Sequence, residues 1–380
     1  MEVYLDNAAT TVAFDEVTEL MCKVLKEDYG NPSSLHRKGL AAEHYIKDAR
    51  ELLAKQLKVD AKEIYFTSGG TESNNTALIG AAMANQRQGK HIITSSVEHA
   101  SVLNPLAYLE EQGFRVTYLP VDENGIIDLN ALKDAICEET ILVSIMGVNN
   151  EVGAVQPLEK VAAIIKESER NILFHVDAIQ MFGKILVYPK RIGIDLLSVS
   201  GHKIHGPKGS GFLYVKDKTK IKPLILGGNQ QSGFRSGTEN VPAIAGLALA
   251  AEQMAKNHEE KISAMREMKS HFIQRVTQLE DCFDHSGEAP HIISITFRGV
   301  RSEVLLHALE DTGVYVSSGS ACSSNKPELS GTLLNMGLSK ADAESTLRFS
   351  LGMFTTKEEL DYAVDCIAEV LPVLRRFTRR

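Results

Sequence analysis

The chain has 380 residues, of which 43% are hydrophobic and 24% are charged, as is ordinary for a folded globular protein. Its net charge of −8 argues against direct binding of nucleic acid, and no apolar run approaches the roughly 20 residues of a membrane span. The N-terminal residues lack a basic segment followed by an apolar one, and the five cysteines show no paired spacing. We therefore expect a cytoplasmic protein without a secretory signal, a disulfide framework, a membrane partner or a direct nucleic-acid partner.

The first two thirds of the chain alternate between helical and extended patterns. Periodicity predicts helices at residues 16–27, 39–57, 74–88 and 100–112, and strands at residues 64–67, 91–95, 115–119, 141–146, 172–177 and 195–200. The last three strands are apolar on both faces, which is typical of a sheet covered by helices on both sides. This alternation predicts an α/β fold with a mostly parallel sheet.

The pattern changes after about residue 241. A helix from about 243 to 257 is predicted to continue into a charged helix at 259–279, before a strand at 292–297, a helix at 302–311 and two closing helices. We place a domain boundary in the long helix, near residue 257. The prediction is a large domain at 15–257 and a smaller α+β domain formed by 1–14 and 258–380.

Cys322 differs from the other cysteines in its surroundings. It lies in Ser317-Ser318-Gly319-Ser320-Ala321-Cys322-Ser323-Ser324, which has no large apolar side chain and therefore predicts an accessible loop. The others lie in helical patterns or at the end of a charged helix, and are Cys22, Cys137, Cys366 and Cys282. The residues alone leave open whether Cys322 is reactive.

The strongest local feature is a lysine at the end of a buried strand. Ser200-Gly201-His202-Lys203 ends the strand at 195–200 and leads into a turn rich in glycine and proline. A lysine at such a strand end can be partly desolvated and so form a Schiff base with a carbonyl group. Ser200 and His202 carry groups suited to a phosphate. A surface lysine in a loop is the alternative interpretation.

Two further strand ends carry groups suited to a cofactor. Ser68-Gly69-Gly70-Thr71-Glu72-Ser73 lies between a strand and a helix, where backbone N–H groups, the helix dipole and the Thr71 hydroxyl can bind an anion; an ordinary capping turn is the alternative. His175 and Asp177 share one face of a strand, and a buried carboxylate there needs a partner. A protonated pyridine nitrogen, a structural His–Asp pair and a metal site all fit this pattern.

Three other polar residues indicate a functional site mainly because they occur together with the lysine, the anion-binding loop and the acid described above. His99 opens a helix after a strand and could stack on a cofactor ring or exchange protons, and Asn150 follows the strand at 141–146. Arg348 lies in a semi-apolar stretch, where it could bind a substrate carboxylate through two hydrogen bonds or form a structural salt bridge. The predicted anion-binding loop at 68–73, Asp177, Lys203 and Arg348 thus follow one another along the chain, each predicted near the end of a helix or strand.

Several long motifs in register resemble the NifS/IscS-like cysteine desulfurases, a branch of the fold-type I pyridoxal-phosphate enzymes. The resemblance runs nearly end to end, and the matching segments are residues 4–11, 30–34, 67–73, 148–151, 175–178, 200–203, 235–238, 317–322 and 348–352. It implies an aspartate aminotransferase-like fold, with a mostly parallel seven-stranded sheet in the large domain. It also implies pyridoxal 5′-phosphate as the cofactor and a homodimer.

By this resemblance, each site residue has an expected role. Lys203 forms the Schiff base with the cofactor, Asp177 pairs with the pyridine nitrogen, and His99 stacks on the ring. Gln180 contacts the ring hydroxyl, and Thr238 reaches the phosphate across the dimer interface. The remaining expected cofactor contacts are Gly70, Thr71, Asn150, Ser200 and His202, and the residues expected to hold the substrate carboxylate are Arg348 and Asn150.

The resemblance also implies the reaction. L-cysteine displaces Lys203 from the cofactor, Lys203 removes the α-proton, and the Cys322 thiolate attacks the substrate sulfur. The products are L-alanine and a persulfide on Cys322, whose loop must travel between the substrate and a sulfur acceptor. No resident metal is expected, although Cys322 could serve as an iron–sulfur ligand during transfer.

Two departures from the family affect the expected sulfur acceptor. The segment after Cys322, residues 323–329, does not keep the common sequence of the group. The chain also ends at Arg380, without the extended tail by which some relatives bind an iron–sulfur scaffold. An iron–sulfur scaffold and a tRNA-thiolation enzyme are therefore comparable expectations for the partner.

The sequence leaves other functions open. An aminotransferase needs no mobile thiol, so Cys322 argues against it, whereas a selenocysteine lyase is harder to exclude. A metal hydrolase using His175, Asp177 and His99 would be colourless and inactivated by a chelator. A cofactor-free binding or scaffold protein would also be colourless.

Overall fold

The computed structural model describes residues 1–318 and 329–378. The strands are β1 (Val3–Tyr4), β2 (Ile64–Thr67), β3 (His91–Ser95), β4 (Arg115–Leu119), β5 (Thr140–Met146), β6 (Leu173–Asp177), β7 (Leu196–Ser200), β8 (Gly211–Val215), β9 (Cys282–Asp284), β10 (Ile292–Phe297), β11 (Val314–Tyr315) and β12 (Thr346–Ser350). The helices are α1 (Asp15–Lys26), α2 (Arg37–Leu57), α3 (Gly70–Asn85), α4 (Ala100–Glu111), α5 (Leu129–Ala135), α6 (Leu158–Glu167), α7 (Pro189–Ile192), α8 (Val241–Ala255), α9 (His258–Val276), α10 (Ser302–Glu310), α11 (Gly331–Asn335), α12 (Lys340–Glu344) and α13 (Lys357–Thr378). Within the described ranges, none of these helices combines the length and the apolar character that crossing a bilayer requires.

The main sheet has seven strands in the order β2-β8-β7-β6-β5-β3-β4. Its neighbouring strands are parallel except at β8, which is antiparallel to both β2 and β7. Because two reversals cancel, β2 runs in the same direction as β7. The carboxyl ends of β2, β3, β5, β6 and β7 therefore lie along one edge of the sheet, and the predicted α/β fold with a mostly parallel seven-stranded sheet is confirmed.

The sequence predicts every strand of this sheet except β8. That strand begins at Gly211, where a Cβ atom would come within 2.5 Å of the Val199 backbone oxygen. Glycine is depleted in strands, and the close packing against β7 explains why one begins this strand. The remaining residues include Phe212, Tyr214 and Val215, which are of strand-forming type, so the local pattern of β8 agrees with the structure although the prediction omitted it.

Both faces of the main sheet are covered, as the apolar strands predict. Along β5, Leu142 joins the core beneath α3 and α4, whereas Val143 joins the core on the opposite face. Leu196 and Leu197 divide between the two cores in the same way along β7. Successive side chains of a strand point to opposite faces, so an unbroken apolar run supplies two cores at once.

A second sheet has three antiparallel strands in the order β12-β10-β9. Its core joins the two ends of the chain, because Val3 and Leu5 pack with Phe272, Phe297 and Phe349. Strand β1 pairs in parallel with β11 beside this sheet. The division of the chain into domains at 15–257 and at 1–14 with 258–380 stays a prediction.

The continuous helix predicted across residue 257 is interrupted. α8 ends at Ala255, and α9 begins at His258 after Asn257, which has a left-handed φ of 52°. Asparagine tolerates this conformation better than most residues, so the break costs little free energy. The structure also corrects the expectation for Cys282, which is buried at the start of β9 and does not end a helix.

Candidate active site

Polar side chains from the carboxyl ends of five strands meet at one cavity of about 260 Å³. Parallel strands bring their carboxyl ends to the same edge, where open α/β sheets bind ligands. The sequence-predicted site residues that line this cavity are Gly70, Thr71, His99, Asn150, Asp177, Gln180, Ser200, His202, Lys203 and Arg348. The fold thus brings together residues that lie up to 278 positions apart in the chain, from Gly70 to Arg348.

Asp177 ends β6 and is a buried carboxylate in the cavity wall, only 4% exposed. Its Oδ2 accepts a hydrogen bond from Nδ2 of Asn74 at 2.7 Å, and its Oδ1 accepts one from the Ile179 backbone at 2.9 Å. Burial raises the pKa of Asp177, while these donors and the positive charge of Lys203 act in the opposite direction. The site therefore holds an acid that gains most from a cationic partner in the cavity.

His99 caps the N-terminus of α4 with its own side chain. Its Nδ1 accepts the backbone N–H of Ser101 at 3.1 Å and lies 2.9 Å from the Ser101 hydroxyl oxygen. That oxygen accepts from Nδ2 of Asn74 at 2.8 Å, so the Ser101 hydroxyl proton is available for Nδ1. Because Nδ1 is an acceptor, a neutral His99 ring carries its proton on Nε2.

Lys203 follows β7 in a short 3-10 turn and reaches the N-terminal segment. Its Nζ donates to the backbone oxygens of Ala8 and Ala9, both at 2.6 Å. The buried Lys184 donates to the Lys203 backbone oxygen at 2.5 Å, and burial together with the charge of Lys203 lowers the pKa of Lys184 to about 7. The backbone that carries the reactive amine is therefore held by a second lysine.

The anion loop leads into the N-terminus of α3. Gly69 has a φ of 147°, which favours glycine, and a Cβ atom on Gly70 would lie 2.1 Å from Cδ1 of Ile179, so a larger residue at Gly70 would require the Ile179 side chain to move. The first N–H groups of a helix have no partner within the helix and can bind an anion. Ser200 and His202 line the same cavity. Burial, followed by nearby lysine charges, lowers the pKa of His202 to about 4, so its ring is neutral near pH 7.

Arg348 lies in the middle of β12 with its side chain only 4% exposed. One terminal nitrogen donates to Oδ1 of Asp6 at 2.9 Å, and the other donates to the backbone oxygen of Asn150 at 2.9 Å. Its Nε is buried and has no hydrogen-bond partner among the described residues. Two groups thus fix the guanidinium in the cavity wall, and its remaining N–H groups can donate to a ligand.

Two predicted residues lie outside this cavity or outside the described residues. Thr238 is exposed in the segment before α8 and does not line the cavity of its own chain. Cys322 lies outside the described residues. Its role remains a prediction from the sequence motif.

His175 does not face the cavity, although it shares a strand with Asp177. Its ring nitrogens contact the hydroxyl oxygens of Ser144 at 2.8 Å and Ser198 at 3.0 Å, and burial lowers its pKa to about 3. The described part of the chain contains no group of three or more His, Cys, Asp or Glu residues placed to hold a metal ion. His175 is therefore a structural residue of the sheet.

Sequence reasoning misses Ser101, which lines the cavity, and Asn74 and Lys184, which act behind its wall. Asn74 and Ser101 are polar residues near the N-termini of α3 and α4, where polar residues are common, so the local pattern does not single them out. Lys184 follows Gly183 in a turn, where nothing in the local pattern distinguishes it from a solvated lysine.

The chain matches the family described as aminotransferase class-V over residues 3–363. The chain belongs to this family. It is 45% identical to the cysteine desulfurase IscS of Dictyoglomus turgidum over an alignment of 378 residues. This alignment covers 98% of this chain and 95% of that relative. The IscS of Methanosarcina thermophila is 42% identical over 379 residues, with 99% of this chain and 93% of that relative covered.

A solved structure described as a NifS-like protein agrees with the fold at a TM-score of 0.94 and 39% identity, covering 98% of this chain and all of the other (100%). A structure of SspA in complex with cysteine gives a TM-score of 0.82 at 35% identity, covering 93% of this chain and 100% of the other. These similarities confirm the predicted fold type and the prediction of a pyridoxal-phosphate-dependent cysteine desulfurase.

The residues of the cavity fit pyridoxal 5′-phosphate. A buried acid that requires a cation, the carboxylate of Asp177, shares the wall with the amine of Lys203. The N-terminus of α3, with Ser200 and the neutral ring of His202 nearby, supplies uncharged donors for a phosphate. An acid, an amine and an anion-binding loop are the three groups that this cofactor needs.

Proposed function

We propose that this chain takes sulfur from L-cysteine, releases L-alanine and holds the sulfur as a persulfide on Cys322. The observation that carries the proposal is that Lys203, Asp177 and Arg348 line one cavity. A lysine beside an acid suits the cofactor, and a fixed arginine suits the carboxylate of an amino acid. The relative whose solved structure is described as a complex with cysteine supports this choice of substrate.

Each cavity residue then has a binding role. Lys203 would form the covalent link to the cofactor, Asp177 would pair with the pyridine nitrogen, His99 would lie against the ring, and Gln180 would contact the ring hydroxyl. When bound, pyridoxal 5′-phosphate supplies an electron sink that stabilises negative charge at the substrate α-carbon. The residues that would hold the phosphate and the adjacent part of the cofactor are Gly70, Thr71, Asn150, Ser200 and His202.

Lys203 also acts on the substrate. Once its amine is released, Nζ takes the proton from the α-carbon of L-cysteine as a general base. The backbone oxygens of Ala8 and Ala9, which accept from Nζ at 2.6 Å, give the released ammonium a defined resting position. Lys184 holds the Lys203 backbone from behind.

Arg348 and Asn150 would hold the substrate carboxylate. Arg348 is oriented by Asp6 and by the Asn150 backbone oxygen, so little side-chain freedom is lost when substrate binds. This contact fixes the end of the substrate opposite to its sulfur.

Cys322 completes the reaction. Its thiolate attacks the substrate sulfur, so a sulfur–sulfur bond forms, the Cβ–S bond breaks and the electron pair stays on Cβ of the substrate, which then takes a proton. Lys203 returns a proton to the α-carbon, which completes L-alanine. The outer sulfur of the persulfide passes to a thiol of an acceptor protein. We propose an iron–sulfur scaffold or a tRNA-thiolation enzyme as that acceptor, with Cys322 as a transient iron–sulfur ligand in the first case.

The proposed enzyme is a cytoplasmic homodimer. Thr238 is exposed, and the partner's cavity is the place where its hydroxyl would meet a phosphate, as the family motif implies. Cys22, Cys137, Cys282 and Cys366 are free thiols, which agrees with a reducing compartment.

Borohydride reduction of the purified protein tests the cofactor part of this proposal. We expect a yellow protein that loses its visible band on reduction, with the cofactor fixed to the peptide that contains Lys203. Lys203→Ala should remove this attachment, whereas Lys160→Ala, which changes an exposed lysine of α6, should keep it. A colourless wild-type protein, or attachment at another lysine, would contradict the proposal.

A further inference from the structure

His291 is a buried histidine directly before β10, with 2% of its surface exposed. Its backbone oxygen accepts the Leu351 N–H at 2.9 Å, which ties it to the end of β12. Its Nε2 lies 3.1 Å from Oε1 of Gln180, a residue of the cavity wall. The imidazole therefore links the small sheet to the cofactor site.

The hydrogen bonds decide which way the Gln180 amide faces. Nε2 of Gln180 donates to the backbone oxygen of Ala8 at 2.9 Å. A carbonyl oxygen only accepts, so the amide nitrogen must face Ala8 and the amide oxygen must face His291. The reverse orientation would set two acceptor oxygens against each other.

The surroundings of His291 keep its ring neutral. Burial and then nearby positive charge hold the pKa of His291 well below 6.5, and the charged groups are Lys184, Lys269, Arg348 and Lys203. A neutral ring carries one proton, which must lie on Nε2 to bond Oε1 of Gln180. Nδ1 has no hydrogen-bond partner within the described ranges, as suits the nitrogen without a proton.

We propose that His291 is a positioning residue that fixes the Gln180 amide with an N–H group, and not its oxygen, available to the ring hydroxyl oxygen of the cofactor. This inference rests on the proposed function. One N–H of the amide goes to Ala8, and the second remains for the cofactor oxygen. A donor at this place favours the ionised oxygen, so the bound cofactor loses its proton at lower pH.

A pH titration of the visible absorption band, without substrate, tests this role in the holoenzyme. His291→Leu removes the donor to Oε1 and leaves the Gln180 amide held by Ala8 alone, so its second N–H is no longer fixed toward the cofactor oxygen and the midpoint should rise, by up to about one pH unit. His291→Gln can place an N–H near the position of Nε2 and should titrate as the wild type does. His285→Leu is the matched control, because His285 contacts the Thr296 hydroxyl at 2.9 Å beside the same small sheet.

A wild-type midpoint in His291→Leu, or a raised midpoint in His291→Gln, would overturn the inference. If His291→Leu does not fold, His291→Asn replaces it in the experiment. The asparagine side chain is too short to reach Gln180, so the midpoint should again rise. A wild-type midpoint in His291→Asn would also overturn the inference. A wild-type protein with no visible band would instead overturn the proposed function, so the two failures are distinguishable.

Discussion

Asn74 and Asp177 are joined by a hydrogen bond of 2.7 Å from Nδ2 to Oδ2, although they lie 103 residues apart in the chain. The same nitrogen of Asn74 donates to Ser101, which contacts His99. One buried amide thus supports both the acid and the histidine of the cavity wall. Its removal affects two predicted cofactor contacts without touching the cavity surface.

Asn74→Ala should weaken cofactor binding. The change leaves Oδ2 of the buried Asp177 without a donor and raises its pKa further, which costs about 1–3 kcal/mol and corresponds to roughly a tenfold weaker hold on the cofactor or more. Dialysis followed by absorbance measures the cofactor that remains. Asn85→Ala is the control, because Asn85 is buried in the same helix and its side chain bonds the Ala81 and Lys220 backbone and the Gln88 side chain, none of which lines the cavity. Equal cofactor retention in the two variants would refute the role of Asn74.

Glu98→Gln should change how stability depends on pH. Burial raises the pKa of Glu98 to about 8, while Ser95 and the Met146 N–H partly offset it. The folded protein therefore holds one more proton than the unfolded chain between pH 4.5 and about 8, so the free energy of unfolding falls as pH rises through this window. Glutamine cannot ionise. Relative to Glu98→Gln, the wild type should lose about 1 kcal/mol per pH unit in urea unfolding; parallel pH profiles would contradict this assignment.

Arg348→Lys should raise KM for L-cysteine by about tenfold or more, because one ammonium cannot bond Asp6, Asn150 and a carboxylate in the same fixed geometry. Steady-state alanine formation measures KM. Arg298→Lys is a matched change, since Arg298 bonds Asp342 through two nitrogens at 2.6 and 3.0 Å but is half exposed and remote from the cavity. We expect its KM to stay at the wild-type value, and an equal KM in both variants would argue against carboxylate binding by Arg348.

His175→Gln should retain cofactor and turnover while losing stability. The ring bonds Ser144 and Ser198 inside the sheet and does not line the cavity, so only packing and two hydrogen bonds change. Thermal unfolding and alanine formation separate the two effects. Loss of alanine formation with unchanged thermal stability would contradict the structural role of His175.

The parts of the site that sequence reasoning found share a local cause. Asp177 stands out because it ends a buried strand, and Lys203 because it follows one by three residues; a charged residue at such a place is costly unless a ligand or partner compensates. Gly69 and Gly70 stand out because glycine marks the turn into a helix. Such signals need only a few neighbouring residues, so they are visible before the fold is known.

The parts that it missed depend on contacts between distant segments. His291 meets Gln180 across 111 residues, and Asn74 meets Asp177 across 103. Neither residue lies in a pattern that differs from an ordinary polar position. The helix break at Asn257 is missed for a related reason, because helical periodicity continues on both sides of it.

Sulfide release from L-cysteine by Cys322→Ser, with a reducing thiol present, tests most directly whether sulfur passes through Cys322. Cys137→Ser is the control, since Cys137 is another free thiol and its sulfur accepts from Arg115 at 3.1 Å on the surface. We predict that Cys322→Ser keeps the yellow cofactor and the spectral change on adding L-cysteine but releases no sulfide above background, while Cys137→Ser releases sulfide as the wild type does. Equal sulfide release by Cys322→Ser and the wild type would contradict the persulfide mechanism.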